Sequence, residues 1–169
     1  MRMVINESTI NNFNIITELA KTKNPCLGNL IDINSSHLQI IANFNFLSSQ
    51  RPKLKKLGIY CLISLNNTPT ILLENNCQQI LLEYIKEIGW NDLQYVGFVE
   101  NSGRYARFHL IFNRVTIDGN LIDLNCLGAT VEQYDILRKA INNSQVVSHK
   151  SQLRRFNFTR ISDFRSVVL

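Results

Sequence analysis

The chain has 169 residues, 45% of them hydrophobic, which is enough for one domain with a sizeable core and too little for two ordinary ones. A net charge of +5 and a pI near 9.2 favour a polyanionic partner. No window approaches the ~18 uninterrupted apolar residues of a membrane span, and Met1 to Ala20 lacks the apolar core of a signal peptide, so no membrane association and a cytoplasmic location are expected.

Residues 1–6 read as a short first strand. Ser8-Thr9 can cap a helix running to about Lys21, with Ile10, Phe13, Ile16, Thr17 and Ala20 on its apolar face. Pro25 and Gly28 act as breakers before a short apolar run, residues 30–33. A helix is predicted from Ser35-Ser36 to Gln50, with Leu38, Ile41, Phe44 and Leu47 inward and His37 facing solvent. Arg51, Lys53, Lys55 and Lys56 put four cations into six residues directly before a strand over 57–65. Such a run is either a solvated link or a phosphate contact. A helix starting at Glu74 or Asn75 and stopping at Gly89 carries the stripe Ile80, Leu81, Tyr84, Ile85 and Ile88.

Alternation predicts strands over 93–99 and 108–115, and Asp118-Gly119 predicts a two-residue primed turn after them. A further helix over 130–143 should turn Val131, Tyr134, Leu137 and Ile141 inward, with a last strand over 145–148. The tail from His149 to Leu169 interleaves Lys150, Arg154 and Arg155 with Phe156, Phe158 and Phe164. That mixture suits single-stranded nucleic acid, and equally a docked amphipathic tail. Cys26, Cys61, Cys77 and Cys126 are widely spaced and form no C-x-x-C pair, which fits buried reduced thiols.

Gln94-Tyr95-Val96, His109, Asn113-Arg114-Val115 and Asp118-Gly119, in that order and spacing, resemble the relaxase or mobilization nuclease domain of the HUH endonuclease class. The resemblance extends over about residues 1–150, with 151–169 as a separate basic, aromatic tail. It implies a single α/β (α+β) domain, a mainly antiparallel sheet with helices packed on one face. It also places the first two histidines and the aspartate of the family's motif on Glu100, Arg107 and Ser102, which leaves His109 as the matching ligand. Phe13 fits the family's phenylalanine, and the position of its nucleophilic tyrosine falls on or about Leu19. No tyrosine precedes Tyr60, and leucine has no atom that could form a phosphotyrosine link.

The metal that the resemblance implies would have Glu100 and His109 as candidate ligands and as candidate catalytic residues, a donor pair suited to Mn²⁺ or Mg²⁺. Arg107 offers a fixed charge and no lone pair, so no cofactor is expected, and an ion pair between Arg107 and Glu100 across the two strands is the alternative. DNA in single-stranded, hairpin or duplex form is the expected partner, with Arg51, Lys53, Lys55, Lys56, Arg104, Arg107, Arg114, Lys150, Arg154 and Arg155 as the candidate contacts. Three functions stay open: a catalytically degenerate DNA-binding relative of relaxases serving a plasmid or mobile element, a residual metal-dependent DNA nuclease, and a protein-interaction module on the same fold.

Overall fold

A computed structural model describes residues 2–67, 70–102 and 104–144, with 70–75 described by backbone alone. The elements run β1 (Arg2–Ile10), α1 (Ile15–Ala20), β2 (Pro25–Asn29), α2 (His37–Ser48), β3 (Gly58–Asn66), α3 (Thr70–Glu87), β4 (Tyr95–Asn101) and β5 (Tyr105–Asn113). A 3₁₀ turn, Leu124–Cys126, and a helix over 131–144, α4, follow. The five strands form one antiparallel sheet in the order β1-β3-β5-β4-β2. The expected strand over 145–148 and the tail lie outside the described residues. No helix among the described residues is long and apolar enough to cross a membrane.

The α+β class is the expected one, but the helices are divided between the two faces. Alternation on β5 explains why: Phe108, Leu110 and Phe112 join one buried cluster while Ile111 joins another. The larger cluster adds Ile80, Leu81, Tyr84 and Ile85 of α3 and Leu137, Ala140 and Ile141 of α4. On the opposite face Phe13, Ile16, Leu19, Ile40 and Phe44 cover Val96, Phe98 and Ile111, with the Phe13 and Phe44 rings 4.8 Å apart. A sheet apolar on both faces at its centre needs cover on both.

Several boundaries differ from the sequence expectation. β1 continues to Ile10, because Ser8 and Thr9 pair with Tyr60 and Ile59 in place of capping a helix, and α1 shrinks to six residues. β2 contains Pro25 and Gly28, and residues 30–33 fold back over it. A Cβ on Gly28 would meet Ile31 and Ile33 at 2.8 Å, and Leu30 takes φ 57° where the chain reverses. Ser36 caps α2 as expected, its side chain accepting from Gln39 N. The helix faces the sheet with Ile40, Phe44 and Leu47, however, leaving Leu38 66% exposed and His37 only half-exposed. α3 begins at Thr70, earlier than expected. Val131 faces solvent because Tyr134, Leu137 and Ile141 set the inward stripe of α4.

The turn after β5 is one residue longer than a primed turn. Gly119 N donates to Thr116 O, Thr116 N to Asn120 O, and Gly119 carries the positive φ of 74°. Ile117 and Asp118 therefore take the central positions, with glycine in the left-handed place that follows.

Candidate anion site on the open half of the sheet

α1 and α2 cover only half of their face. The other half, toward the end of β4 and the start of β5, presents Asn6 and Ser8 exposed, Tyr60, Leu62 and Ser64 half-buried, and then His109, Arg107 and Glu100 on adjacent strands. Glu100 stands opposite Arg107 in the β4–β5 register, with Oε2 4.0 Å from the guanidinium. The cross-strand pair expected from the sequence therefore exists in the structure. Arg107 also stacks over the Tyr105 ring, its guanidinium carbon 5.1 Å from the centroid, and the Tyr105 hydroxyl lies 3.5 Å from Glu100 Oε1.

His109 lies deeper, its side chain 10% exposed. Nδ1 is 2.7 Å from the Tyr60 hydroxyl, and Nε2 points at Glu100 Oε2 from 3.6 Å, beyond hydrogen-bond range. Nε2 is buried and lacks a hydrogen-bond partner among the described residues. The tautomer is assigned from these neighbours: a lone pair on Nε2 would face a carboxylate, so the proton belongs on Nε2 and Tyr60 donates to Nδ1. Burial lowers the His109 pKa against the pull of Glu100, with Lys23 and Arg107 adding to the lowering, so the ring is neutral near pH 7. Burial raises the Tyr60 pKa, which keeps its hydroxyl protonated.

Lys23 completes the cluster and had no signal in the sequence. It sits in the link after α1, its backbone N–H donating to Leu19 O, and its ammonium lies 3.7 Å from Glu100 Oε2 with only 18% of the side chain exposed. Leu19 itself is buried in the smaller core cluster. Tyr60 was recoverable in principle: it lies two residues from Leu62, the register partner of His109, and so shares its face.

Two lone-pair donors, Glu100 and His109, thus stand beside two fixed cations within 4.0 Å of the same carboxylate oxygen. The described residues contain no group of three His, Cys, Asp or Glu side chains that could hold a metal ion. Cations so close to the carboxylate repel a divalent ion at the place it would occupy, so the donor set fits a metal poorly.

The other expected contacts lie elsewhere. Arg51, Lys53, Lys55 and Lys56 are exposed at the entrance to β3, and Arg51 and Lys53 line a pocket there with Gln50, Pro52, Leu54 and Leu121. Arg51 Nε donates to Gly119 O, and Arg114 Nε is turned inward to Ile122 O. Arg104 is exposed in the β4–β5 connection. Six register steps separate Gly58, paired with Asn113, from Ser64, paired with Arg107, so the two basic groups stand about 20 Å apart along the sheet. Lys150, Arg154 and Arg155 lie outside the described residues.

The asparagine and glutamine of the recognised motif have structural roles. Asn113 is fully buried: Nδ2 donates to Phe44 O and Gln94 Oε1, both at 2.9 Å, while Oδ1 accepts from Ser48 Oγ and Val115 N. One side chain thereby joins α2, the residue that leads into β4 and the exit from β5.

No curated protein and no solved structure matches the chain. A family model described as relaxase, MobA/VirD2-like, nuclease domain, matches residues 16–147, well over half of the sequence. With the five-stranded antiparallel sheet and the Gln94–Asn113 node in place, the chain belongs to the MobA/VirD2-like relaxase nuclease-domain family.

Proposed function

We propose that this protein is a DNA-binding relaxase relative that has lost tyrosine-dependent nicking and serves a plasmid or other mobile element as an accessory or regulatory factor in the cytoplasm. Residues 1–150 form the domain in this reading, and 151–169 a basic, aromatic extension of the DNA surface. The observation that carries it is the Glu100–Arg107 pair, 4.0 Å apart: the family resemblance assigns two metal ligands to these positions, and an arginine beside a carboxylate supports the loss of the ion. The absence of any tyrosine before Tyr60, with Leu19 buried near the expected position, supports the same conclusion. Membership of a nuclease-domain family supports DNA as the polyanion that the net charge of +5 favours.

The test titrates the full chain into labelled single-stranded, hairpin and duplex DNA at several salt concentrations, with Mn²⁺ or a chelator, and resolves the same samples on a denaturing gel. Binding with intact DNA is expected. Replacing Lys53, Lys55 and Lys56 with Ala should flatten the slope of log K against log salt by ~0.7–0.9 for each phosphate that is no longer neutralised. Cleavage that requires Mn²⁺ and disappears in His109→Ala would replace this reading with a metal-dependent nuclease. Absence of DNA affinity at low salt would leave the protein-interaction module.

A further inference from the structure

Three hydrogen-bond donors converge on one point of the open sheet face; the Lys23 ammonium also donates to Thr22 Oγ1 at 2.9 Å, while His109 Nε2 has no partner among the described residues. The Lys23 ammonium, the Arg107 guanidinium and His109 Nε2 lie 3.7, 4.0 and 3.6 Å from Glu100 Oε2, all outside hydrogen-bond range. Nε2 is the telling member, since a polar atom that loses water on burial and gains no partner is destabilising, and this one lacks a partner among the described residues and is aimed into the cluster from a side chain nine-tenths buried. Two fixed cations face one carboxylate, so the cluster keeps an excess of positive charge.

We propose that Lys23, Arg107 and His109 form a metal-independent clamp for one phosphodiester group of a DNA strand, with Glu100 as the placeholder that the phosphate displaces. The proposal rests on the DNA-binding reading above and names the atoms that make one of its contacts. A phosphate offers several acceptor oxygens to the three donors, whereas Glu100 Oε2 reaches none of them closely. Tyr60 maintains the clamp without touching the ligand: by donating to Nδ1 it keeps the His109 proton on Nε2. Glu100 is 30% exposed and can turn toward solvent when a phosphate arrives. Nothing in this arrangement requires a metal, because side-chain cations supply the charge that would otherwise come from an ion.

The experiment measures affinity for a labelled single-stranded oligonucleotide at low salt in a chelator, using the full chain and variants shown by circular dichroism to be folded. Lys23→Ala and Arg107→Ala should each weaken binding by about tenfold. Glu100→Gln should tighten it by several-fold, a gain that damage to the fold would not produce, and added Mn²⁺ should change nothing. If Lys23→Ala and Arg107→Ala bind like the parent while the Lys53, Lys55 and Lys56 variant is weakened, the clamp is wrong and the DNA-binding reading stands. Affinity that appears only with Mn²⁺, or a Glu100→Gln variant that binds no better than the parent, also overturns the clamp. If the parent protein itself binds no DNA, both readings fall together.

Discussion

At the scale of single residues, Asn113 matters more than its modest side chain suggests. Its amide makes four hydrogen bonds in a fully buried position, and truncation would leave Phe44 O, Gln94 Oε1, Ser48 Oγ and Val115 N to find new partners. Asn113→Ala should therefore cost about 2–4 kcal/mol, given roughly 1 kcal/mol for each net bond and more for stranded buried groups. Urea unfolding followed by circular dichroism reads this as a lower midpoint at unchanged slope. His109 makes the second residue-level prediction. Its folded pKa is depressed, chiefly by burial, below the ordinary 6.5. Well above pH 6.5 the ring is neutral folded or unfolded and contributes no pH dependence. As pH falls below that, the unfolded chain takes up a proton that the folded chain resists, so stability drops until the folded pKa is passed. The urea midpoint should decline below about pH 6.5, and His109→Gln should remove that part of the decline.

At the scale of elements, the tightest fit is at the entrance to β3. A Cβ on Gly58 would lie 2.7 Å from the Phe112 carbonyl oxygen and 2.8 Å from the Phe13 ring. The first neighbour is strand backbone and cannot move aside without breaking the β3–β5 register. Gly58→Ala is expected to destabilise by about 1–3 kcal/mol, as overpacking does, with thermal unfolding as the readout. The same element shows what a sequence conveys. The β3 pattern is legible because alternation survives where a strand is covered on one side and half-covered on the other. By contrast, β4 and β5 are buried on both sides over most of their length and read as apolar runs, β5 spanning Tyr105–Asn113 in place of the expected 108–115. The stripe on α3 is legible because four inward positions, Ile80, Leu81, Tyr84 and Ile85, are large and apolar. The border between β1 and α1 is not, because Ser8 and Thr9 serve equally well as cap residues and as edge-strand residues, and only the partner strand decides. The cysteines show the same limit: Cys61 and Cys77 are buried as expected, whereas Cys26 is only half-buried and Cys126 is exposed in the 3₁₀ turn. Burial raises the Cys26 and Cys77 thiols to about 11, while Cys126 is raised less.

At the scale of the whole molecule, the candidate site is legible where it follows register and obscure where it depends on chain crossing. Arg107 and His109 share a face because they stand two residues apart on one strand, which can be counted from the sequence, whereas Glu100 joins them only through the β4–β5 register. Lys23 arrives from a link between α1 and β2, and no period in the chain announces it. The basic group at 51–56 lies about 20 Å from the Arg107 end, a distance that a nucleic-acid strand lying along the sheet would span in about six base steps at 3.4 Å each. Two separated footholds would favour a strand running lengthwise over a single-point contact.

The outer edge of β1 is closed late in the chain. Ile5 N donates to the Tyr134 hydroxyl, and Glu7 accepts from Gly128 N and Gln133 Nε2, partners more than 120 residues downstream. During synthesis β1 must therefore wait for the residues that cover it. At ~5–20 residues per second the delay is roughly 6–25 s. For that interval the strand's free edge is exposed on the nascent chain, where other extended chains could pair with it. Arg2, Asn6, Glu7, Ser8 and Thr9 make it a poor template for such pairing, so the polarity that obscures the end of β1 in the sequence protects the protein while it is being made.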